Sequence, residues 1–226
     1  MVIVGEAKQI IVRPVKATEA NALVRRIHYS GAVAQNSQLH LGVFLHGALE
    51  GVMQFGPSID KRRMAGLVEG TNMGQFMELN RMAFSAALPR NSESRALSVA
   101  FRMLRKVAPQ IKWIVSFADA TQCGDGAIYR AAGFDLVGVK RNRSLRKLEN
   151  GVVVSDKSLN HAMVDGRRGA SVIKGESLEG FQIKYVYFLE PEWRSRLTVP
   201  ILGYDEIAKR GARMYRGKRL DHAAEV

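Results

Sequence analysis

An almost unbroken apolar segment from Ile111 to Ala118 constrains the fold more than any other part of the sequence. A run of this kind predicts a strand buried on both faces, as the central strands of α/β sheets are. Asp119 follows the strand, and a short helix with Tyr129 then ends at Gly133-Phe134. Because ligands of open α/β sheets bind beyond the carboxyl ends of strands, Asp119 and Tyr129 are expected to face a functional site. Asp119 is equally open to interpretation as a turn residue, and Tyr129 as a packing residue.

Hydrophobic patterning along the rest of the chain predicts an α/β fold with a mixed central sheet flanked by helices. We expect strands at 8–15, 41–46, 49–55, 75–84, 111–118, 135–139 and 185–189, and helices at 18–27, 92–107 and before Gly133. Thr18 is the expected N-cap of the first helix, Gly47-Ala48 the turn of a hairpin, and Pro109 the end of the long helix. A basic loop is expected at 61–63 and a basic helix at 207–220.

The strong positive charge of the chain points to nucleic acid as a partner. Its 226 residues include 34 Lys and Arg against 21 Asp and Glu, a formal charge of +13, and such a field attracts phosphate polymers. Each basic segment alone is open to interpretation as a solvated surface. Together the basic segments predict contact with DNA. Their residues are Lys61, Arg62 and Arg63, then Lys140, Arg141 and Arg143 within 140–147, and in the tail Arg210, Arg213, Arg216, Lys218 and Arg219.

The cysteine and histidine content narrows the class of protein. The single Cys123 excludes an internal disulfide, and no N-terminal apolar segment has the length of a signal peptide or membrane span. We therefore expect a cytoplasmic protein. Cys123 has no clearly adjacent His, which disfavours a nucleophilic role. The five His residues are scattered without metal-ligand spacing, so no metal site is predicted.

Several short motifs carry a family resemblance. Polar residues interrupt the strand-like segment Glu78-Leu79-Asn80-Arg81-Met82, and Pro89 to Arg95 opens the long helix. Taken with His28-Tyr29, Ser116 to Asp119 and Ile128-Tyr129, they resemble the Mom family of DNA-modification proteins, that of bacteriophage Mu and its relatives. The order of elements over 8–140 is similar to that of the GCN5-related N-acetyltransferase fold.

This resemblance implies a phage enzyme that places a carbamoylmethyl group on the exocyclic amine of adenine in DNA and so protects phage DNA from host restriction. It implies an acetyltransferase-like catalytic domain at 1–190 and a basic C-terminal extension at 191–226, acting on double-stranded DNA in the cytoplasm of the bacterial host. A homodimer is left open. Two alternatives also stay open, namely a conventional acetyl-CoA-dependent acetyltransferase for a protein or small amine, and a non-catalytic nucleic-acid-binding module.

Acyl transfer to a poorly nucleophilic aromatic amine needs a base and a donor for the developing oxyanion. Asp119 is the expected base, and Tyr129, by analogy with acetyltransferases, the acid that protonates the leaving group. Arg81 is open to binding a phosphate, the donor carbonyl or the oxyanion, and equally to an ion pair with Glu78.

Three more residues are candidates on the resemblance. Ser94 lies near the start of the long helix, where it would help to hold an anionic group or belong to the helix cap. His28 and Tyr29 are expected on the acceptor side, where an aromatic ring would stack on the extruded base. A structural role is the open alternative for His28.

The expected donor site is the run Arg90, Asn91, Ser92, Glu93, Ser94 and Arg95, which corresponds to the loop that binds the coenzyme A pyrophosphate in acetyltransferases. Glu93 stands in place of a glycine and adds bulk and negative charge, which argues against acetyl-CoA. A carbamoylmethyl group also contains a nitrogen atom that an acetyl group lacks. Glycyl-tRNA supplies every atom and is the favoured donor. Iron enters from the family resemblance alone, and no ligands are assigned to it.

Overall fold

The structure, a computed structural model, describes residues 6–155 and 175–220. These residues form two compact units that alternate along the chain. Within the described residues the first unit comprises 6–117, 127–137 and 184–202, and the second comprises 118–126, 138–155, 175–183 and 203–220. The chain therefore passes from one unit to the other inside three of its strands.

Ten strands and five α-helices are present among the described residues. The strands are β1 Ile11–Pro14, β2 Leu39–Leu45, β3 Ala48–Gly56, β4 Phe76–Phe84, β5 Trp113–Asp119, β6 Asp135–Leu148, β7 Val153–Ser155, β8 Gly175–Phe188, β9 Met214–Tyr215 and β10 Lys218–Arg219. The helices are α1 Ala17–Ile27, α2 Lys61–Ala65, α3 Ser92–Val107, α4 Ala127–Ala131 and α5 Asp205–Lys209. Short 3-10 helices occupy Glu6–Gln9 and Pro191–Arg196.

A mixed sheet forms the framework of the first unit, with the strand order β1-β2-β3-β4-β5-β8-β6. Strands β1 to β4 are antiparallel neighbours, and β4 pairs with β5 in parallel. In the second unit β8, β6 and β7 are neighbours in this order, and β9 and β10 form an antiparallel hairpin. The predicted α/β class, with a mixed sheet flanked by helices, is confirmed.

The β2–β3 hairpin forms as predicted, but its turn is His46-Gly47, one residue earlier than the expected Gly47-Ala48. His46 and Gly47 have φ values of 49° and 85°, and Leu45 pairs with Ala48 across the turn. Two consecutive left-handed residues match the right-handed twist of the flanking strands, so this turn suits a tight hairpin.

Helices α1 and α2 cover the sheet of the first unit with apolar side chains. Helix α1 buries Leu23 and Val24 in a cluster with Val52 and Ala83 of the sheet. Around α2, a second cluster joins Met64, Leu67, Val68, Phe76 and Trp113, and the rings of the last two stack at 4.5 Å. Helix α3 spans the residues that its pattern predicts and buries, among others, Leu97, Ala100, Phe101 and Leu104.

Two predicted features near the N-terminus differ from the structure, namely the start of β1 and the N-cap of α1. Strand β1 begins only at Ile11, because Lys8 belongs to the 3-10 helix before it. Helix α1 has Lys16 rather than Thr18 as its N-cap, and the Glu19 carboxylate accepts the Lys16 backbone N–H at 3.0 Å. That hydrogen bond satisfies a backbone group at the helix end and so fixes where the helix starts.

The predictions for two basic segments were wrong. Residues 61–63 open α2 instead of forming a loop, since the Asp60 side chain accepts the Arg63 N–H at 3.2 Å. The tail at 207–220 is not a helix, because α5 ends at Lys209 and a hairpin follows. Gly211 and Gly217 have φ values of 68° and 75°, which end the helix and form the turn.

Candidate active site

Strands β4 and β5 separate part-way along their length. Their parallel pairing ends at Glu78 opposite Val115, although β4 continues to Phe84. On its other side β4 has a bulge against β3, which leaves Asn80 as an extra residue in the ladder. The Ser116 hydroxyl of β5 still lies 3.5 Å from the Leu79 carbonyl, and the bulge bends β4 at the next residue, Asn80. The polar residues of β4 therefore lie where the described pairing leaves the sheet open.

Glu78 is a carboxyl group at this opening whose pKa is shifted. Burial raises the pKa of its carboxyl group above the ordinary value of 4.5. Hydrogen bonds from the Ser58 and Asn80 side chains, together with the charge of Arg81, act in the opposite direction on this pKa. A carboxylate whose pKa is raised by burial is better matched to proton abstraction near neutral pH than an exposed one.

The segment after α1 is tied to the same part of β4. The Ser37 hydroxyl donates to Asn80 Oδ1 at 3.1 Å, and the Asn36 amide donates to the Pro57 carbonyl. Gly56 permits this approach, because a Cβ there would lie 2.1 Å from the Asn36 carbonyl oxygen and 2.8 Å from Asn80 Oδ1. The position therefore excludes any larger residue.

Arg81 is held in place by backbone carbonyls. Its Nε donates to the Ala32 carbonyl at 2.8 Å and its Nη1 to the Asn80 carbonyl at 2.7 Å. Its influence on Glu78 is exerted through charge. A guanidinium has five N–H donors, so the two described hydrogen bonds orient Arg81 and leave donors for an anion.

His28 and Tyr29 follow directly after α1. The Ser30 N–H donates to His28 Nδ1 at 3.2 Å, and the Ser30 hydroxyl lies 2.8 Å from the same nitrogen. The His28 and Tyr29 rings are 4.3 Å apart, and Tyr29 is 48% exposed. An exposed aromatic ring offers a face on which a base can stack. Their predicted acceptor-side role stays a prediction.

An open cavity of about 490 Å³ lies beside the start of α3 in the first unit. Its wall includes Lys8, Asn91, Ser94, Arg95 and Ser98, with Phe101, Tyr187 and three alanines behind them. Backbone N–H groups at a helix start, next to cationic side chains, suit a phosphate-bearing ligand. The predicted donor residues Asn91, Ser94 and Arg95 are thus brought together.

The other residues of the predicted donor run have different surroundings. Ser92 is fully buried and Arg90 is exposed. Glu93 is absent from the cavity wall, so its charge is a weaker objection to a pyrophosphate than the sequence pattern indicated. The Ser94 hydroxyl donates to the Asn91 carbonyl at 3.2 Å, which is a bond back to the helix start and does not cap a free N–H group. Among the described residues, Ser92 Oγ and Arg95 Nε are buried without a hydrogen-bond partner.

Tyr129 is part of an aromatic cluster. Its ring is 9% exposed and lies 5.2 Å from both the Phe134 and the Tyr185 ring. Phe101 and Tyr187 continue the cluster with rings 4.1 Å apart. These contacts account for Tyr129 as a packing residue, and its predicted role as an acid stays a prediction.

In the second unit, Asp119 organises the loop that follows β5. Its Oδ1 accepts the Thr121 N–H at 2.9 Å and its Oδ2 accepts from the Gln122 amide at 3.0 Å. Its backbone carbonyl accepts the N–H groups of Cys123 and Gly124, both at 3.0 Å. These bonds are typical of a turn-forming aspartate, the second interpretation that its sequence position allows. Burial and the Asp119 charge raise the pKa of the Cys123 thiol, which disfavours a thiolate nucleophile.

The β9–β10 hairpin rests against this loop within the second unit. The Gly217 N–H donates to the Cys123 carbonyl at 2.7 Å, and the Asp125 N–H to the Met214 carbonyl at 3.2 Å. Arg219 donates through Nη1 to Gly211 and through Nη2 to Ala120, at 2.6 and 3.2 Å. The hairpin therefore contributes to the position of the Asp119 loop.

The predicted nucleic-acid contacts are distributed over both units. Lys61, Arg62 and Arg63 are exposed on α2 of the first unit. In the second unit Lys140, Arg141 and Arg143 are exposed on β6, and Arg216 lies at the hairpin turn with φ 47°. Arg143 Nε lies 3.7 Å from Glu179. The basic residues of 140–147 are thus displayed on a strand, β6.

Neither metal ligands nor membrane spans are evident in the described part of the chain. Over 6–155 and 175–220, no three His, Cys, Asp or Glu side chains form a group that could hold a metal ion. The described residues therefore do not fit iron, and no chemical step is assigned to it. No described helix is both long and apolar enough to cross a membrane.

Comparison with known proteins identifies the family. The model of the Mom protein family matches residues 9–206. The chain belongs to the Mom protein family. The methylcarbamoylase Mom of Escherichia phage Mu is 33% identical to it over 200 residues, which cover 86% of this chain and 82% of that protein. The family resemblance carried by the sequence motifs is confirmed.

Among solved structures, this Mom-family chain is similar to acetyltransferases. The ribosomal-protein-S18-alanine N-acetyltransferase of Escherichia coli has 11% identity and a TM-score of 0.46, covering 80% of this chain and 94% of that one. A GNAT-family acetyltransferase of Elizabethkingia anophelis with acetyl-CoA bound has 12% identity and a TM-score of 0.43, covering 80% and 98%.

Sequence reasoning missed the burial of Glu78, its bonds to Ser58 and Asn80, and the role of Arg219 in this Mom-family chain. One local signal was available, since a glutamate within a strand-like apolar segment is unusual unless it is paired or functional. No local signal marks Ser58 or Arg219, whose partners are remote in sequence.

Proposed function

We propose that this Mom-family protein is a DNA-modifying transferase that adds a carbamoylmethyl group to the exocyclic amine of adenine. Family membership supports the modification of DNA, since the phage Mu relative is a methylcarbamoylase. The observation that carries the proposal is the polar site on β4, where a carboxylate of raised pKa lies beside an oriented guanidinium.

These groups match the demands of the reaction. The adenine amine is conjugated with its ring, so a base has to take its proton as the new bond forms. Glu78 is the first candidate for this base because burial raises its pKa, and Asp119 is the second. Arg81 would stabilise the oxyanion that develops on the donor carbonyl.

The donor would be a phosphate-bearing carrier of an activated acyl group, held at the cavity beside α3. Between acetyl-CoA and glycyl-tRNA, we favour glycyl-tRNA on atom balance. The adenine amine attacks the glycyl ester, the amide bond forms, and the tRNA hydroxyl leaves with the proton. The glycyl amine then attacks ring carbon six, and the original nitrogen leaves that carbon to become the carboxamide. The product contains every atom of carbamoylmethyladenine.

The acceptor adenine would have to leave the duplex. Its amine cannot reach a side-chain pocket from inside the stack, so extrusion is required, at a cost of a few kcal/mol. Tyr29, with 48% of its surface exposed, would stack on the extruded base. The basic residues of α2 and β6 would contact the flanking phosphates.

Mass spectrometry of nucleosides tests the proposal. The protein is expressed in a bacterium, and plasmid DNA from the same cells is digested and searched for an adenine that gains the mass of one glycine residue. We expect this product with the unaltered protein and its loss in Glu78→Gln. The exposed Glu69→Gln is the matched control and should leave the product unchanged. Unmodified adenine in cells that contain folded, unaltered protein would contradict the proposal.

In vitro reactions with purified protein and DNA separate the donors. Glycyl-tRNA is expected to support modification, whereas acetyl-CoA is not. Thermal stabilisation by coenzyme A, without modified DNA, would instead favour a conventional acetyltransferase. DNA binding without a mass change in any base would favour a non-catalytic binding module.

A further inference from the structure

Ile59 is an apolar side chain in an unusual setting. It is 81% exposed, the largest exposed fraction among the exposed large hydrophobic residues of the described chain. It follows β3 and directly precedes Asp60 and the three exposed cations of α2, Lys61, Arg62 and Arg63. Single exposed apolar residues are common on protein surfaces, so the exposure of Ile59 becomes informative only through its neighbours.

The backbone on both sides of Ile59 is fixed. Before it, the Pro57 carbonyl accepts from the Asn36 amide, and Ser58 is 5% exposed. After it, Asp60 caps α2, whose Met64 is anchored in the apolar cluster of the sheet. Ile59 is therefore an exposed apolar side chain on an anchored turn.

This turn adjoins the candidate active site. Gly56 lies opposite Glu78 in the β3–β4 ladder, three residues before Ile59, and consecutive Cα atoms are about 3.8 Å apart. Neighbouring bases along a DNA strand are separated by about 3.4 Å. Ile59 therefore lies on the turn next to the site, on the side where Lys61, Arg62 and Arg63 supply charges for the phosphates of a duplex whose adenine has entered it.

We propose that Ile59 is a wedge that inserts into the DNA stack and fills the space left by the extruded adenine. DNA-bending proteins use isoleucine, leucine, methionine and phenylalanine in this way, because an apolar side chain partly replaces the stacking contacts that are lost. The inference rests on the proposed function, since it assumes that the protein acts on adenine in duplex DNA.

The test uses duplexes in which 2-aminopurine, whose fluorescence rises when it leaves the stack, replaces one adenine. A set of duplexes covers every pair of flanking bases, and DNA affinity is measured separately by anisotropy. We expect the unaltered protein to raise the fluorescence in at least one context. Ile59→Ala should lower the rise by about tenfold, since it removes most of the apolar surface that would be buried, while DNA affinity changes by less than about threefold because the phosphate contacts remain.

Two further variants complete the design. Ile59→Leu keeps the apolar bulk and should retain the rise. Val107→Ala truncates another exposed apolar residue, 73% exposed at the end of α3, and should match the unaltered protein. Because Ile59 is exposed, Ile59→Ala is expected to keep the melting temperature of the unaltered protein.

Several outcomes would overturn the inference. One is a fluorescence rise with Ile59→Ala equal to that of the unaltered protein, and another is the absence of any rise with the unaltered protein. A third is a change in oligomeric state with Ile59→Ala at constant fluorescence, which would assign Ile59 to contact with a second copy. The plasmid assay reports separately on the proposed function. If the fluorescence rise depends on Ile59 while plasmid adenine stays unmodified, the proposed chemistry is contradicted and the wedge role of Ile59 is retained.

Discussion

At the scale of single residues, Glu78 has an environment that makes a pH-dependent prediction. Because burial raises its pKa, the folded protein holds the proton more tightly than the unfolded chain does. Its contribution to stability is therefore present below the ordinary pKa of 4.5 and is lost as the pH rises through the raised folded-state value. Glu78→Gln has no ionisable group and should gain in stability relative to the unaltered protein as the pH rises.

Urea denaturation over a series of pH values measures this difference. The free energy of unfolding of Glu78→Gln minus that of the unaltered protein should increase as the pH rises above 4.5 and become constant above the raised folded-state pKa of Glu78. Glu69→Gln, at an exposed position, should show a much smaller trend. A flat difference for Glu78→Gln would mean that the carboxyl group is solvated in the folded protein.

Asp119 needs a test that separates the loop from the chemistry. Removal of both carboxylate hydrogen bonds in Asp119→Ala should lower the free energy of unfolding by about 1–2 kcal/mol. Asp119→Asn keeps an oxygen for the Thr121 N–H and lets the Gln122 amide reorient, so it should lose less than about half of that amount.

Modification of plasmid adenine in the same two variants then decides the role of Asp119. If Asp119 acts only by holding the loop, Asp119→Asn still forms modified adenine. Any loss of modified adenine in Asp119→Ala is then accompanied by a lower melting temperature. If Asp119 is the base, Asp119→Asn abolishes the product while its melting temperature stays near that of the unaltered protein.

At the scale of elements, the β9–β10 hairpin is predicted to stabilise the Asp119 loop. Arg219→Ala removes the hydrogen bonds to Gly211 and Ala120, each worth about 1 kcal/mol. Amide hydrogen exchange at Cys123 and Gly124 should accelerate by about fivefold to thirtyfold. Arg219→Lys should not restore protection, because an ammonium lacks the fork that reaches both carbonyls.

The neighbouring Lys218→Ala is the control for this experiment. Lys218 is exposed and lies in the same strand, so its removal changes the charge of the hairpin by the same amount. If amide hydrogen exchange at Cys123 and Gly124 accelerates equally in Arg219→Ala and Lys218→Ala, the hairpin acts through its charge rather than through the two hydrogen bonds of Arg219.

At the scale of the whole molecule, the charge of +13 predicts DNA binding that weakens steeply with salt. Each phosphate contact contributes about 0.9 to the slope of log affinity against log salt concentration. Replacing Lys61, Arg62 and Arg63 together by glutamine should lower the slope by up to about three units. The corresponding triple variant of Lys140, Arg141 and Arg143 tests the second unit in the same way.

A control on another surface, compared per charge removed, distinguishes specific contacts from net charge. Arg102→Gln with Lys106→Gln removes two exposed cations from α3 and should change the slope by less than about half a unit per charge. If all variants lower the slope in proportion to the charge removed, the two basic surfaces have no special part in binding.

The sequence by itself determined the elements whose signals are local. The apolar run before Asp119 and the periodicity of α3 predict what the structure shows, and Gly47 marks the hairpin turn to within one residue, because backbone propensity and side-chain burial act there over a few residues. The motifs likewise sufficed for the family. They also named Asn91, Ser94 and Arg95, which the structure brings to one cavity wall.

Only the tertiary structure decided how the candidate site is assembled. The bulge at Asn80 and the end of β4–β5 pairing at Glu78 depend on strand register, which residues far apart in sequence determine together. The pKa of Glu78 depends on burial and on Ser58, and the Asp119 loop depends on a hairpin about a hundred residues away, as the Arg219–Ala120 hydrogen bond shows. Local patterns cannot encode such contacts, since desolvation and hydrogen bonding depend on which distant groups the folded chain places beside each residue.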